Sequence, residues 1–230
     1  MVVSKKYSVV IVAGGKGYRV GGDIPKQFIP IGSKPLLMHT IEAFYSFRMD
    51  MRIIIVLPKE FVLLWQELCE EYHFLINHSV VVGGETRFHS VKNGLKEVSP
   101  EDIVAIHDGA RPFVTPKLIE SCFKEALDNQ CGIIPVVDES NSVRRIIENG
   151  SEIIDRSELK LVQTPQVFPA HMLQRAYQIE YDSSYTDDAS VAEKNGIDIK
   201  LIQGEITNIK ITTSFDIVMA EHLVNILAKR

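Results

Sequence analysis

The chain lacks the features of a disulfide scaffold, a secreted protein or a membrane protein. Its three cysteines, Cys69, Cys122 and Cys131, show no CxxC spacing and no metal-binding pattern. An odd number of cysteines with no pairing logic favours a reducing compartment. No segment approaches the roughly 20 apolar residues that span a bilayer. The first apolar run leads straight into glycines and is too short for a signal peptide. These absences predict a cytoplasmic protein with no membrane partner.

An excess of positive charge is also absent. The 230 residues include 25 Lys and Arg against 30 Asp and Glu, which gives a formal net charge of -5. Bulk charge therefore argues against nucleic acid as a partner, and a phosphate ligand must be met by local basic residues. No Ser/His/Asp arrangement and no His/Cys cluster stands out. This absence fits transfer at phosphorus by positioning and charge neutralisation, without a protein nucleophile.

Short runs rich in Val and Ile alternate with helical patterns along the chain. The strand-like runs are YSVVIVA, RIIIVLP, SVVVG, DIVAIHD and CGIIPVVD. Because they are continuously apolar, they predict strands that are covered on both faces, as in a parallel sheet. Helical periodicity marks PLLMHTIEAFYSF, TRFHSVKNGLKEV, Pro116–Leu127, Pro169–Glu180 and the C-terminal SFDIVMAEHLVNILAKR. The alternation predicts an α/β, three-layer, mostly parallel fold in a single domain over residues 1–230.

After Val137 this rhythm changes. The segment ESNSVRRIIENGSEIIDRSELKLVQ contains short β-prone runs on either side of ENGSE, which is a turn signal. We expect a β-hairpin arm at about residues 138–160. A two-stranded polar arm is marginally stable alone. It is therefore expected to pack on a second subunit, which predicts a homodimer.

A basic glycine loop follows the first predicted strand, in VIVAGGKGYRVGGDIPKQF (Val10–Phe28). A dinucleotide fingerprint fails at Val20, where a third Gly or Ala is required, and a P-loop fails at Asp23, where Lys is required. Glycines let backbone N–H groups approach phosphate oxygens closely, and Arg19 and Lys26 add two cations. The pattern favours a phosphate-binding loop over a flexible surface turn with solvated charges.

Two further segments place polar residues at predicted strand ends or helix starts. In GGETRFHSVKNGL, either Glu85 or Thr86 begins a helix, which suits an anion or a base edge but equally a simple capped helix. In IVAIHDGARPF, Asp108 follows a buried strand and can accept from a ribose hydroxyl or hold a cation. Arg111 can pair with Asp108 or with phosphate. His107 is expected to be a structural hydrogen-bonding residue.

The remaining candidates are ambiguous from the residues alone. Arg156 lies on the predicted arm. Asp187 and Asp188 begin a helix, so capping competes with a functional role. Lys210 lies in an alternating stretch, where a solvated strand lysine is the usual interpretation. The sequence by itself leaves function and structure equally open at these positions.

Six separated segments carry a family resemblance over almost the whole chain. They are AGGKGYRVGGDIPKQF, GGETRFHSVKNGL, HDGARPFV, DRSELKLVQTPQVF, TDDASVAE and NIKITTSFDI. Together they resemble the 2-C-methyl-D-erythritol 4-phosphate cytidylyltransferases of the non-mevalonate isoprenoid pathway, whose close relatives are the ribitol 5-phosphate cytidylyltransferases. The resemblance implies a Rossmann-like nucleotidyltransferase sheet. It also implies transfer of CMP from CTP to 2-C-methyl-D-erythritol 4-phosphate, with release of pyrophosphate.

The resemblance also implies roles for individual residues. Arg19 and Lys26 match the basic pair that acts at the α-phosphate of CTP. The residues implied in nucleotide binding are Ala13, Gly14, Gly15, Gly17, Gly84, Glu85, Ser90, Asp108, Gly109 and Arg111. For such a transfer we expect Mg²⁺ or another divalent cation as the cofactor, held mainly by the triphosphate, with Asp108 as a candidate protein ligand. Gly109 replaces an alanine that is common in the family, a change we expect to be tolerated.

For the acceptor, a sugar-alcohol phosphate, the resemblance implies positioning by Arg156 and Lys210. Ser142 is the best equivalent of a family threonine, with Ser140 as the alternative, because PVVDESNSVRR departs from the family pattern. In the family the arm is exchanged within a homodimer, so Arg156 would serve the neighbouring subunit. The Asp-Arg of DRSELKLVQ favours the methylerythritol enzymes over the ribitol enzymes. A non-catalytic nucleotide-binding protein is the alternative of a different class.

Overall fold

A computed structural model describes residues 6–15 and 25–227, and the structural statements below concern these ranges. The strands are β1 (Tyr7–Val12), β2 (Pro30–Ile31), β3 (Lys34–Pro35), β4 (Arg52–Leu57), β5 (Ser79–Val82), β6 (Ile103–Asp108), β7 (Gly132–Asp138), β8 (Val143–Ile147), β9 (Gly150–Ile154), β10 (Lys160–Val162), β11 (Gln166–Pro169) and β12 (Ile199–Gln203). The α-helices are α1 (Leu36–Phe47), α2 (Val62–Glu71), α3 (Arg87–Leu95), α4 (Pro116–Asn129), α5 (Ala170–Ala176), α6 (Asp188–Lys194) and α7 (Ser214–Leu227).

A mixed sheet organises the described part of the chain. Its order is β10-β7-β11-β6-β1-β4-β5, and β12 pairs with β7. β1 pairs in parallel with both β6 and β4, and β5 continues the parallel half beyond β4. β11 runs antiparallel to β6 and β7, and β10 runs antiparallel to β7. The mostly parallel α/β sheet that the sequence predicts is therefore confirmed.

Helices cover both faces of this sheet. Alternate residues of β1 point to opposite faces, as the period of a strand requires. Val9 and Ile11 pack in a core with α1, α2 and α4. Val10 packs in a second core with α3, α5 and α6. All three side chains are completely buried, so the continuous apolar runs report a sheet sandwiched between two helical layers.

Three sequence-based expectations differ from the structure. The run SVVVG is not a buried strand, because β5 is the sheet edge and Val82 is exposed. The helix expected over Pro169–Glu180 is shorter: α5 ends at Ala176, and the Tyr177 hydroxyl bonds to Asp188. Lys210 lies in no strand. Its alternating neighbours reflect the burial of Ile211 against the loop after β6 rather than a pleated edge.

The hairpin arm consists of β8 and β9, which pair from Val143↔Ile154 to Ile147↔Gly150. The two strands form a sheet of their own and share no ladder with the main sheet. Ile146 and Ile153 leave 82% and 75% of their surface exposed. The arm therefore presents apolar side chains that the described part of this chain does not cover.

The C-terminal helix α7 packs on the small β2–β3 hairpin. Ile31 and Ala220 are completely buried in this contact, together with Ile211 from the preceding loop. This packing fixes the loop beside the carboxyl edge of the main sheet. Among the helices in the described ranges, none has the length and apolar character needed to cross a membrane.

Candidate active site

The carboxyl ends of the parallel strands meet at a cavity of about 270 Å³. β1 runs into Ala13, and its last residue, Val12, pairs with Asp108 at the end of β6. In an open α/β sheet this edge is where ligands bind. The sequence-derived candidates that line the cavity are Ala13, Gly14, Gly15, Lys26, Gly84, Glu85, Ser90, Asp108 and Lys210. Segments from five parts of the sequence thus converge on one site.

Other candidates lie elsewhere. Arg19 and Gly17 are outside the described residues. Gly109 and Arg111 do not line the cavity, but they flank Ala110, which does. The arm candidates Arg156, Ser142 and Ser140 are not among the described residues that line the cavity. Arg156 instead donates a hydrogen bond to the carbonyl of Ser140 at the base of the arm.

One wall of the cavity is the start of α3. Thr86 is the N-cap, and its side-chain oxygen accepts from the backbone N–H of His89. Ser90 is buried, and its Oγ accepts from the backbone N–H of Gly84 at 3.1 Å. A Cβ at Gly84 would lie 2.4 Å from the Cβ of His89. Glycine is therefore required for this turn to close onto the helix, which leaves a tight polar pocket at its start.

Gly109 also permits a close approach, between the ends of β1 and β6. A Cβ at Gly109 would lie 2.9 Å from the Cβ of Ala13 and 3.2 Å from Cδ1 of Leu37. The Gly109 carbonyl accepts a hydrogen bond from Thr40 Oγ1. Glycine at this position thus fits the packing of this chain, whereas alanine would push the two strand ends apart.

Asp108 is the electrostatic centre of the site. Its carboxylate is 2.9 Å from Lys210 Nζ, 3.5 Å from Arg111 Nε and 3.6 Å from Arg87 Nε. Burial alone would raise the pKa of Asp108, but the charges of Arg87, Lys210 and Arg111 outweigh it and hold that pKa well below its ordinary value. Asp108 therefore stays ionised, and the cations around it exceed its single negative charge.

One short segment, residues 208–211, connects both sides of the cavity. Arg111 Nη1 donates to the Asn208 carbonyl at 2.8 Å. The Ile211 backbone N–H donates to the Ala110 carbonyl, and the Ile211 carbonyl accepts from Lys26 Nζ at 2.9 Å. These bonds hold Lys26 against the segment that carries Lys210. The segment also explains why Lys210 is not a solvated strand lysine.

The residue after Lys26 contacts the chain at the end of β1. Gln27 is buried, and its Nε2 donates to the Ala13 carbonyl at 2.9 Å. Phe28 packs against Phe61 and Trp65. The two contacts fix the short helix Lys26–Phe28 between the sheet and the α2 side of the core. Sequence reasoning took Lys26 as a candidate and missed Gln27.

Sequence reasoning also missed Arg87, although one signal was available. Arg87 is the first residue of α3, where the helix dipole disfavours a cation. A basic residue at that position needs carboxylate partners. The structure supplies two: Arg87 makes a bidentate pair with Asp188 at 3.0 and 2.6 Å and lies beside Asp108. Asp187, in contrast, caps α6, so capping and ion pairing are divided between the two aspartates.

His107 is a structural hydrogen-bonding residue, as expected. It is completely buried, with Nε2 3.1 Å from the Arg111 carbonyl and Nδ1 3.0 Å from Thr164 Oγ1. The carbonyl can only accept, so Nε2 carries the proton. Thr164 Oγ1 accepts from the Asp108 N–H and donates to Nδ1. Burial lowers the pKa of His107 to about 4, so the ring is neutral at neutral pH.

The lowered pKa of His107 predicts a loss of stability in mild acid. The folded protein binds this proton less tightly than the unfolded chain, whose value is 6.5. Stability from the neutral ring is complete above about pH 6.5 and is lost as pH falls toward 4, by about 3 kcal/mol in all. In His107→Gln, urea unfolding between pH 7 and 4.5 should show a shallower fall in the free energy of unfolding. An unchanged slope would contradict this assignment.

The donor set of the cavity fits a magnesium ion that is held mainly by a ligand. In the described ranges, no group of three or more His, Cys, Asp or Glu side chains is arranged to bind a metal. Asp108 and Glu85 supply carboxylates at the cavity wall. Mg²⁺ commonly uses one or two carboxylates together with substrate phosphates and water. The residues are therefore compatible with the ion as part of a metal–phosphate complex.

A mostly parallel α/β sheet whose carboxyl edge carries two glycines and converging cations is the usual arrangement of a nucleotide-binding site. Comparison with known proteins gives the family. The sequence pattern of the 2-C-methyl-D-erythritol 4-phosphate cytidylyltransferase family matches residues 7–226. The chain belongs to this family and is a nucleotidyltransferase.

Relatives and solved structures agree with this assignment. The 2-C-methyl-D-erythritol 4-phosphate cytidylyltransferase of Phocaeicola vulgatus is 54% identical over 216 residues, covering 94% of this chain and 98% of the relative. The crystal structure of 4-diphosphocytidyl-2C-methyl-D-erythritol synthase from Anaerococcus prevotii superposes with a TM-score of 0.81 at 27% identity, covering 96% of each chain. The cytidylyltransferase from Thermus thermophilus superposes with a TM-score of 0.76 at 29% identity, covering 96% of this chain and 99% of that one.

Proposed function

We propose that the protein transfers CMP from CTP to 2-C-methyl-D-erythritol 4-phosphate and releases pyrophosphate, a step in the synthesis of isoprenoid precursors. A phosphate oxygen of the acceptor attacks the α-phosphorus of CTP, and the bond to the β-phosphate bridging oxygen breaks as pyrophosphate leaves in line. The observation that carries this proposal is the cavity at the carboxyl edge of the sheet, where Lys26 and Lys210 converge beside the glycine turn.

The position of each residue at the cavity suggests its role in the reaction. The turn at Gly14 and Gly15 allows backbone N–H groups to approach the triphosphate. Lys26 faces the charge that builds up on the bridging oxygen. The Ser90 pocket suits the cytosine ring, and Asp108 suits a ribose hydroxyl. Lys210, which is 43% exposed, is the cation available to the acceptor phosphate.

We propose Mg²⁺ as the cofactor, with Asp108 as the protein carboxylate that is best placed to meet it. Bound to the triphosphate, the ion offsets negative charge and helps to orient the phosphates. The chain's own contribution is to hold Asp108 ionised and to keep the surrounding cations in fixed positions. Binding of the ion mainly through the triphosphate suits a site whose described residues form no metal-binding group of their own.

The acceptor is tested by side-by-side assays. The purified protein is incubated with CTP and Mg²⁺ together with 2-C-methyl-D-erythritol 4-phosphate, ribitol 5-phosphate or no acceptor. Pyrophosphate release is measured with a coupled pyrophosphatase and phosphate assay. We expect release with the methylerythritol acceptor. Release with ribitol 5-phosphate alone would reassign the acceptor. CTP binding without release under every condition would instead indicate a non-catalytic nucleotide-binding protein.

We also propose a cytoplasmic homodimer in which the hairpin arm covers the partner subunit. Support comes from the exposed Ile146 and Ile153 on an arm that does not join the main sheet. In such a dimer, Arg156 reaches the acceptor site of the other subunit. Light scattering should give twice the mass of one chain. The substitutions Ile146→Asp and Ile153→Asp should shift that mass to one chain, whereas an unchanged mass would remove the arm from the interface.

A further inference from the structure

An ion pair between Arg87 and Asp188 lies at the cavity wall, where the Arg87 side chain is 30% exposed. Asp188 is completely buried and makes two hydrogen bonds with the Arg87 guanidinium, at 3.0 and 2.6 Å. The Tyr177 hydroxyl donates a third hydrogen bond to the Asp188 carboxylate, at 2.6 Å. The guanidinium is thus clamped at its two terminal nitrogens. Burial opposes its charge, but Asp188 and Asp108 outweigh that effect and raise the pKa of Arg87.

Contacts other than this pair also place α6. Asp187 and Ser190 form a capping box at the start of that helix. Gln166 on β11 donates to Asp187 Oδ2 at 2.8 Å and accepts from the Ala189 N–H at 2.9 Å. These contacts dock the helix end on the sheet. An ion pair that is largely buried usually adds little stability compared with well-packed apolar side chains of similar size. A reason other than stability is therefore needed for the pair.

The third nitrogen of the guanidinium supplies that reason. Arg87 Nε lies 3.6 Å from Asp108 Oδ1, while Lys210 Nζ is 2.9 Å from Asp108 Oδ2. Arg87 also lines the cavity. Its planar fork, fixed by Asp188, therefore faces one carboxylate oxygen, while Lys210 and Arg111 share the other. A lysine at this position would carry the same charge without the fixed orientation.

We propose that Arg87, clamped by Asp188, is a positioning residue that orients Asp108 for the nucleotide and, through Asp108, holds Lys210 beside it. This inference rests on the proposed function, in which Asp108 contacts the nucleotide. Because the clamp acts on a binding contact, its loss should raise the KM for CTP more than it lowers kcat. That split separates it from a group that acts on the α-phosphorus in the transition state.

The test removes both charges of the pair together. Arg87→Met/Asp188→Leu is made in a Tyr177→Phe background, because the buried Tyr177 hydroxyl would otherwise lose its acceptor. Neither charge of the pair is then left without its partner, so the urea-unfolding midpoint should stay near that of Tyr177→Phe alone. The kcat/KM for CTP should nevertheless fall about 10- to 100-fold, by analogy with the loss of partners that orient metal ligands. Most of this fall in kcat/KM should come from a rise in the KM for CTP. Arg87→Lys keeps Asp188 paired with a cation but should still have a KM for CTP above that of the wild type.

A matched control removes an exposed ion pair far from the cavity. Lys200 Nζ lies 2.6 Å from Glu125 Oε2 on the surface, and Lys200→Met/Glu125→Leu should leave both kinetic constants unchanged. The inference is overturned if the Arg87/Asp188 double variant folds and keeps the wild-type KM for CTP, or if Arg87→Lys is fully active. Calorimetric titration of wild type and variants with CTP alone measures binding without turnover, so this readout does not depend on the proposed reaction. Equal affinities would overturn the inference, whereas the absence of wild-type turnover would count only against the proposed function.

Discussion

Lys26→Ala is expected to lower kcat at saturating CTP by at least about 100-fold, or about 3 kcal/mol, by analogy with the loss of an oxyanion donor. Lys26 lines the cavity, and its Nζ is held by the Ile211 carbonyl at 2.9 Å. A cation fixed in this way gains most when charge develops on the leaving oxygen. The effect should therefore appear in kcat while the KM for CTP changes little.

The chain supplies a matched control for this variant. Lys59 begins the short helix Lys59–Phe61 in PKEF, as Lys26 begins Lys26–Phe28 in PKQF. Lys59 is exposed and does not line the cavity. Lys59→Ala should keep the wild-type kcat. Steady-state kinetics over a range of CTP concentrations measures both variants, and a near-normal kcat in Lys26→Ala would remove the proposed role.

The central sheet could be predicted because its signals are local. Val9, Val10 and Ile11 are all buried, so the run that contains them reads as a strand between two helical layers. Strand β11 gave no such signal. It spans four residues, Gln166–Pro169, and lies antiparallel between β6 and β7. Its place in the sheet depends on partners that are distant in the sequence, which no local pattern reports.

The candidate site divides in the same way. The glycine turn and Asp108 follow predicted strands directly, so their position at the carboxyl edge could be deduced. Arg87 and Asp188 are 101 residues apart, and only folding brings them together. Lys210 belongs to a loop without regular structure that is held by Arg111 and Ile211. Its role at the site follows from these contacts and not from the alternation of its neighbours.

Asp108→Asn should have the second large effect, because three cations contact its carboxylate and, in the described ranges, only Arg87 has a second carboxylate partner, Asp188. Arg87, Arg111 and Lys210 all lie within 3.6 Å of the Asp108 carboxylate. Removing one partner from a buried charge cluster destabilises proteins by about 3–5 kcal/mol. Because Lys210 is 43% exposed and solvent screens its share, we expect the lower end, about 3 kcal/mol. Urea unfolding measures this loss, with the exposed substitution Asp128→Asn on α4 as the control.

The same substitution should change the affinities of two ligands in opposite directions. Without the negative charge of Asp108, the cavity is more positive, so in the absence of Mg²⁺ pyrophosphate should bind more tightly and raise the melting temperature of the variant more than that of the wild type. Cytidine carries no phosphate and should bind more weakly, because its ribose loses the carboxylate that accepts from its hydroxyl. A general loosening of the fold would weaken both ligands, whereas a solvated Asp108 without a role would change neither. Opposite shifts of the two affinities, measured by calorimetric titration at one ionic strength, therefore identify Asp108 as both the counter-charge of the cation cluster and a contact of the nucleoside.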